Sequence, residues 1–148
     1  MQSRFEAQMH PGVAEIIRTY TRKHQVSATE LFRRMTSIYV FFYEEHQQGR
    51  ILAATEKSSY KSVPIETYYG PHVAWSDREA DVWLRVNMNT ASKEAVSRFY
   101  DELGYSPTEL LHQMCGLFCF VELSKMLGKQ LVTMEVDGTN RREIHTFH

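Results

Sequence analysis

Hydrophobic spacing along the chain switches between two periods, and the whole sequence of switches occurs twice. Residues 3–9, SRFEAQM, set Phe5, Ala7 and Met9 on one side and Arg4, Glu6 and Gln8 on the other. That period of two predicts a short half-buried strand. Pro11-Gly12 ends it, and from about Val13 to His24 the apolar residues Ile16, Ile17 and Tyr20 fall on one helical stripe. Ser27-Ala28-Thr29-Glu30 is a capping box, in which the serine caps the next helix and Glu30 reaches back to the cap amide. This longer helix is expected to bury Leu31, Met35, Ile38, Tyr39 and Phe42 and to stop at Gly49 in a left-handed turn. Residues 50–69 predict a hairpin, RILAAT and then SVPIETYY, around a polar KSSYK turn.

Residues 70–81, GPHVAWSDREAD, form a linker that opens on Gly-Pro and closes on charges. The order then restarts. VWLRVNM points Leu84, Val86 and Met88 inward and Trp83, Arg85 and Asn87 outward. A helix carrying Ala95, Val96, Phe99 and Leu103 ends near Gly104. Ser106-Pro107-Thr108-Glu109 repeats the capping box, with proline at the favoured first helical position. The long helix that follows runs to Gly128. QLVTMEV and RREIHTF close the chain as a hairpin around DGTN, the strongest turn signal present.

The two passes align without a gap. Ser27 matches Ser106, Thr29 matches Thr108, Glu30-Leu31 matches Glu109-Leu110, and Gly49 matches Gly128, every pair being 79 positions apart. Met9 and Met88 extend the match upstream, and Glu56 and Glu135 extend it downstream. The chain is therefore two copies of one unit, residues 1–69 and 82–148, joined by the linker 70–81. A copy of about 69 residues makes only a marginal core alone, so the copies should bury their apolar faces together.

Strand, helix, tight polar turn and longer helix, in that order, resemble the ribbon-helix-helix family of DNA-binding proteins. The residues that carry the likeness are RVNM at 85–88 and GYSPTELL at 104–111, with EAQM at 6–9 and QVSATELFRR at 25–34 as their counterparts. The resemblance covers about 45 residues of each copy. It implies an α+β, mainly α fold of two tandem ribbon-helix-helix units, each with a C-terminal β-hairpin. These would pair intramolecularly through their leading strands, as a single-chain pseudodimer. It further implies a two-stranded ribbon in the DNA major groove, where outward side chains meet base edges. The matching positions are Arg4, Glu6 and Gln8 from the first strand and Trp83, Arg85 and Asn87 from the second. Arg85 would grip guanine, and Gln8 or Asn87 would pair with adenine. The family also holds phosphates on the N-termini of the second helices. Here those positions are Ser27, Ala28 and Thr29, then Ser106 and Thr108, with Arg33 and Arg34 adding charge. Pro107 has no amide hydrogen, so the second clamp lacks one donor.

The copies differ where DNA would lie. Glu6 stands where the second copy has Arg85, a carboxylate suited mainly to a cytosine amino group, and Arg33-Arg34 becomes His112-Gln113. Trp83 is large for a base reader and could be covered by the linker through Trp75. Unlike halves imply an asymmetric site, or a fold that has kept its shape and lost its DNA.

Composition narrows these expectations. The formal net charge is −1, which gives no general attraction to nucleic acid. Residues 1–69 carry nine Lys/Arg against seven Asp/Glu, and residues 70–148 carry eight against eleven, so DNA contact would be local and lopsided. The most apolar run, 110–127, is broken by His112, Gln113, Glu122 and Lys125, which makes it a poor membrane span. Cys115 and Cys119, four apart on one helix, read as buried core thiols rather than a disulfide or redox pair. The expected location is the cytoplasm.

The bland alternatives are specific. An outward strand face is polar whatever it touches, and capping boxes are first of all helix-start devices. His145 and His148 alternate on a strand without a carboxylate or cysteine cluster, so no metal site is expected. Glu44-Glu45 reads as a solvated helix face. There is no phosphate loop, nucleophile elbow or paired carboxylate, so neither an enzyme nor a cofactor is expected. Phe41, Tyr43, Phe120, Leu123, Met126 and Leu127 lie off the main apolar stripe. They either pack under the hairpins or form a surface for self-association or a protein partner. The leading expectation is a sequence-specific binder of double-stranded DNA, as a transcriptional regulator or a plasmid or phage accessory factor. The alternative is a protein-binding module on a degenerate version of the same fold, such as an antitoxin-like protein or a phage-encoded inhibitor.

Overall fold

The computed structural model describes residues 3–56, 66–68 and 80–145. Among them the order is β1 (Ser3–Met9), α1 (Pro11–His24), α2 (Ala28–Gln47), β2 (Arg50–Glu56), β3 (Glu66–Thr67), β4 (Val82–Met88), α3 (Thr90–Leu103), α4 (Pro107–Met126), β5 (Lys129–Glu135) and β6 (Arg142–Glu143). The class is α+β, with antiparallel sheets. The KSSYK turn, most of the linker, Trp75 and His148 lie outside the described residues.

Local chemistry sets the helix ends. The His10 imidazole Nδ1 accepts from the Gly12 amide at 2.9 Å and caps α1, whose first residue is Pro11. Asn89 does the same for α3, its Oδ1 accepting from Ser92 N at 2.8 Å. The C-terminal caps of α1 and α3 are repeat counterparts, and both adopt the left-handed conformation. Gly104 does so at φ 68° without a steric penalty, whereas Gln25 does so at φ 53° against one.

The chain packs as two compact units, and the division cuts across the sequence repeat. One unit holds the described residues up to Ser37 and from 80 to Cys115; the other holds Ile38 to 68 and Gly116 onward. Each copy thus contributes its strand, first helix and the start of its second helix to one unit, and the remainder to the other.

In the first unit β1 and β4 form an antiparallel ribbon running from Ser3 opposite Met88 to Met9 opposite Val82. Its midpoint is Glu6 opposite Arg85, which are counterparts in the repeat, so the ladder has the two-fold register that a duplicated strand requires. Burial alternates as the side-chain period demands: Phe5, Ala7, Met9, Leu84 and Val86 are buried, and the intervening residues are exposed. The Phe5 ring stacks on Phe32 with centroids 4.6 Å apart. Full burial of an aromatic of this size is worth about 1.5–3 kcal/mol. Val13, Leu31, Met35, Phe99, Leu110 and Met114 complete the apolar interior. Two polar ties lock the ribbon to α4. Thr108 Oγ1 donates to the Gln8 carbonyl at 2.7 Å, and the His10 amide donates to His112 Nε2 at 3.2 Å.

In the second unit the two expected hairpins join into one four-stranded sheet, in the order β3-β2-β5-β6. The β2–β5 ladder centres on Ala53 opposite Val132, again a pair of repeat counterparts. Leu52, Ala53, Ala54 and Thr55 are all buried, as are Leu131, Val132, Thr133 and Met134. A strand with neither face in water belongs at the middle of a sheet, and here that is where both lie. Arg50 is only 4% exposed. Its Nη2 donates to the carbonyls of Thr133 (2.8 Å) and Asn140 (2.6 Å). Thr133 Oγ1 in turn donates to Glu45 Oε1 at 3.0 Å, and Glu45 Oε2 lies 3.9 Å from Arg50 Nε. The Asp137-Gly138 turn forms as expected, with Asp137 Oδ1 accepting from the Thr139 hydroxyl (2.6 Å) and amide (3.0 Å). Those bonds, the hydroxyl's first, hold the Asp137 carboxyl below the usual carboxylate range.

Candidate nucleic-acid interface

The six outward ribbon residues come together on one exposed face of the first unit. Arg4, Glu6 and Gln8 alternate with the buried residues of β1, and Trp83, Arg85 and Asn87 do so on β4. Because cross-strand partners point to the same side, the face consists of three rungs: Arg4 opposite Asn87, Glu6 opposite Arg85, and Gln8 opposite Trp83. Trp83 is 49% exposed. The Arg85 guanidinium carbon sits 4.8 Å from the centre of its ring, a cation–π contact that holds the charge over the indole. At the other end Arg4 Nη1 lies 3.8 Å from Glu6 Oε1. Both groups are well exposed, so this pair contributes little to stability.

The helix starts expected to hold phosphates are built as capping boxes, one of them reciprocal. Ser27 Oγ accepts from Glu30 N at 3.0 Å, and Ser106 Oγ accepts from Glu109 N at 3.1 Å. Glu109 Oε1 also accepts from Ser106 N at 3.3 Å, whereas the Glu30 carboxylate is engaged by Arg34 Nε at 3.4 Å. Both serine oxygens accept from their own helix, which leaves each hydroxyl hydrogen able to donate. At the start of α2 the amides of Ala28 and Thr29 have no acceptor among the described residues; at α4, where Pro107 carries no hydrogen, only Thr108 offers a comparable amide. The Thr108 hydroxyl is committed to the ribbon.

Arg33 and Arg34 differ. Arg34 folds back onto Tyr20 Oη (3.3 Å) and Glu30, and these contacts, led by the tyrosine hydrogen bond, raise its pKa further. Arg33 Nε is shielded from solvent without a hydrogen-bond partner among the described residues. Their counterpart His112 is buried and acts as an acceptor inside the unit, a role that its place in the repeat did not suggest.

In the second unit, the off-stripe residues of the second helices divide. Phe120 is buried, 5.4 Å from the Tyr68 ring, and Phe41 and Tyr43 are half-buried. Leu123, Met126 and Leu127 are 50%, 71% and 58% exposed. Their counterparts in the first copy are Glu44, Gln47 and Gln48, all exposed. Cys115 is buried and Cys119 half-buried, and neither is in a disulfide among the described residues. His145 Nε2 lies 3.2 Å from Glu143. No three histidine, cysteine, aspartate or glutamate side chains among the described residues gather as a metal site, and no described helix is long and apolar enough to cross a membrane. No protein-family model, curated protein or solved structure matches the chain.

Proposed function

We propose that the chain is a single-chain ribbon-helix-helix protein that binds a specific site on double-stranded DNA, acting in the cytoplasm as a transcriptional regulator or a plasmid or phage accessory factor. The observation that carries this is the β1–β4 ribbon, whose six outward side chains stand on one exposed face above an apolar underside. A two-stranded ribbon has the width of the major groove, and its outward row meets base edges there. The amides of Ala28, Thr29 and Thr108, with Arg33 nearby in sequence, supply phosphate donors at the starts of α2 and α4. Arg4 and Arg85 are the guanine-seeking groups, and Gln8 and Asn87 the adenine-seeking ones.

Quantitative binding to a duplex selected from a random pool tests this. The affinity should fall as a power of salt concentration, with a logarithmic slope of about −0.9 for each phosphate neutralised. Arg85→Ala should relax base preference at the middle of the site. If no duplex is enriched and none is shifted at low salt, DNA binding is excluded.

A second reading, a module that docks on a protein, is favoured by one observation. Leu123, Met126 and Leu127 are exposed on adjoining turns where the first copy presents Glu44, Gln47 and Gln48. The first copy shows what a solvated face at this place looks like, and the second copy departs from it.

A further inference from the structure

We propose that the central rung of the ribbon, Glu6 opposite Arg85, reads a single G·C base pair in one fixed orientation, so that the DNA site has a direction instead of two-fold symmetry. This rests on the DNA-binding reading above and specifies its substrate.

Two identical strands paired about a two-fold axis put the same residue on both sides of the middle rung. Like charges directly opposed on one face repel, and the same group meeting the DNA twice calls for the same base twice. Here the axis of the β1–β4 ladder falls between Glu6 and Arg85, so the middle rung sets a glutamate opposite an arginine, the carboxylate leaning toward Arg4 and the guanidinium lying over Trp83. An ionised carboxylate only accepts hydrogen bonds, while a guanidinium only donates them. In the major groove guanine offers two acceptors, O6 and N7, and its paired cytosine offers the N4 amino donor. One G·C pair therefore presents, on neighbouring atoms, the complement of both groups. Turned around, the same pair sets the amino group against Arg85 and the acceptors against Glu6, and neither contact forms.

The surroundings are polarised in the same sense. Trp83 stacks beneath the Arg85 guanidinium at 4.8 Å and limits where that fork can point. The outer rungs differ chemically: Arg4 with Asn87 offers hydrogen bonds to purines, whereas Gln8 with Trp83 pairs one amide with an apolar ring suited to a thymine methyl group. The helix starts differ too: among the described residues two amides at Ala28 and Thr29 have no acceptor, against one at Thr108.

Selection from random duplexes, run in parallel with the native chain, Glu6→Gln and Glu6→Arg, tests the proposal. Glu6 is exposed, so both variants should melt with the native chain, which thermal unfolding checks. The native chain should enrich a motif without dyad symmetry that has an invariant G·C pair at its centre. Inverting that pair alone in the best duplex should weaken binding on the order of tenfold or more. Glu6→Gln should move the central preference toward adenine, and Glu6→Arg should bind both orientations of the central G·C pair equally, with a gain in dyad symmetry. A palindromic motif for the native chain, or indifference to inversion of the central pair, overturns the directional rung while leaving DNA binding intact. The absence of any enriched or salt-sensitive duplex removes both.

Discussion

Glu6 and Arg85 face each other across the middle of the β1–β4 ladder, and each is also the other's counterpart in the sequence repeat. The same coincidence recurs at Ala53 and Val132 in the β2–β5 ladder. Two separate ladders centred on repeat counterparts are what a duplicated chain produces when its halves pair as two identical chains would. Covalent fusion then frees the two sides of each rung to differ. In the ribbon they differ in charge.

The two helix starts can be made alike. Ala28→Pro gives α2 the same first residue as α4, a position where proline is favoured, and it removes one candidate phosphate donor. Thermal stability should be unchanged or slightly higher. Affinity for all duplexes should fall together, without a change in preferred sequence, when titrations on the selected site and on an unrelated duplex are compared.

Gln25 holds a left-handed conformation that its counterpart Gly104 adopts freely. Relief of the steric cost should outweigh the added chain freedom of glycine, so Gln25→Gly should stabilise the protein by about 0.5–1 kcal/mol. For a chain of this size that corresponds to a rise of roughly 1–4 °C in melting temperature by calorimetry.

Buried Arg50 satisfies two backbone carbonyls and lies near Glu45. Arg50→Met keeps much of the volume but leaves Glu45 and both carbonyls short of a donor. The expected loss is about 3–5 kcal/mol, read from the midpoint of urea unfolding. Pairing it with Glu45→Gln should recover part of that loss, because the uncompensated charge is then gone.

Leu123→Glu, Met126→Gln and Leu127→Gln install the first copy's own residues at exposed positions at the end of α4 and in the turn after it. Each should change stability by no more than about 0.5 kcal/mol. If this face associates with another copy or with a partner, sedimentation or pull-down will show the association lost while the proposed DNA binding is unchanged.

The parts legible in the sequence were those whose signal is local. The period-two alternation placed the strands at 3–9 and 82–88, where the ribbon forms, and the capping boxes placed the starts of α2 and α4. The outward residues were identifiable because a one-residue error would have turned every side chain of the strand over. What escaped depends on partners distant in sequence. The runs LAAT and LVTM are hairpin arms as expected, pairing with β3 and β6, and their unbroken apolar character is the one hint that each is also covered on its other side. Their pairing with each other closes the second sheet. Nothing near Arg50 foretold its burial, because its acceptors, Thr133 and Asn140, lie in the other copy. Of the two accounts open for Phe120, packing under the hairpins is the one that holds: the ring is buried, 5.4 Å from that of Tyr68. The left-handed cap at Gln25 had one signal, the glycine at its counterpart 104, which only the repeat reveals.

The most direct test of the ribbon as a DNA reader is the equilibrium affinity of the native chain for its best duplex from a random pool, measured across a series of salt concentrations. The expected result is a specific complex whose logarithmic salt slope is about −0.9 per phosphate held, and whose preference at the central base pair Arg85→Ala relaxes. Binding that no duplex elicits even at low salt, or that survives Arg85→Ala with its sequence preference unchanged, would contradict it.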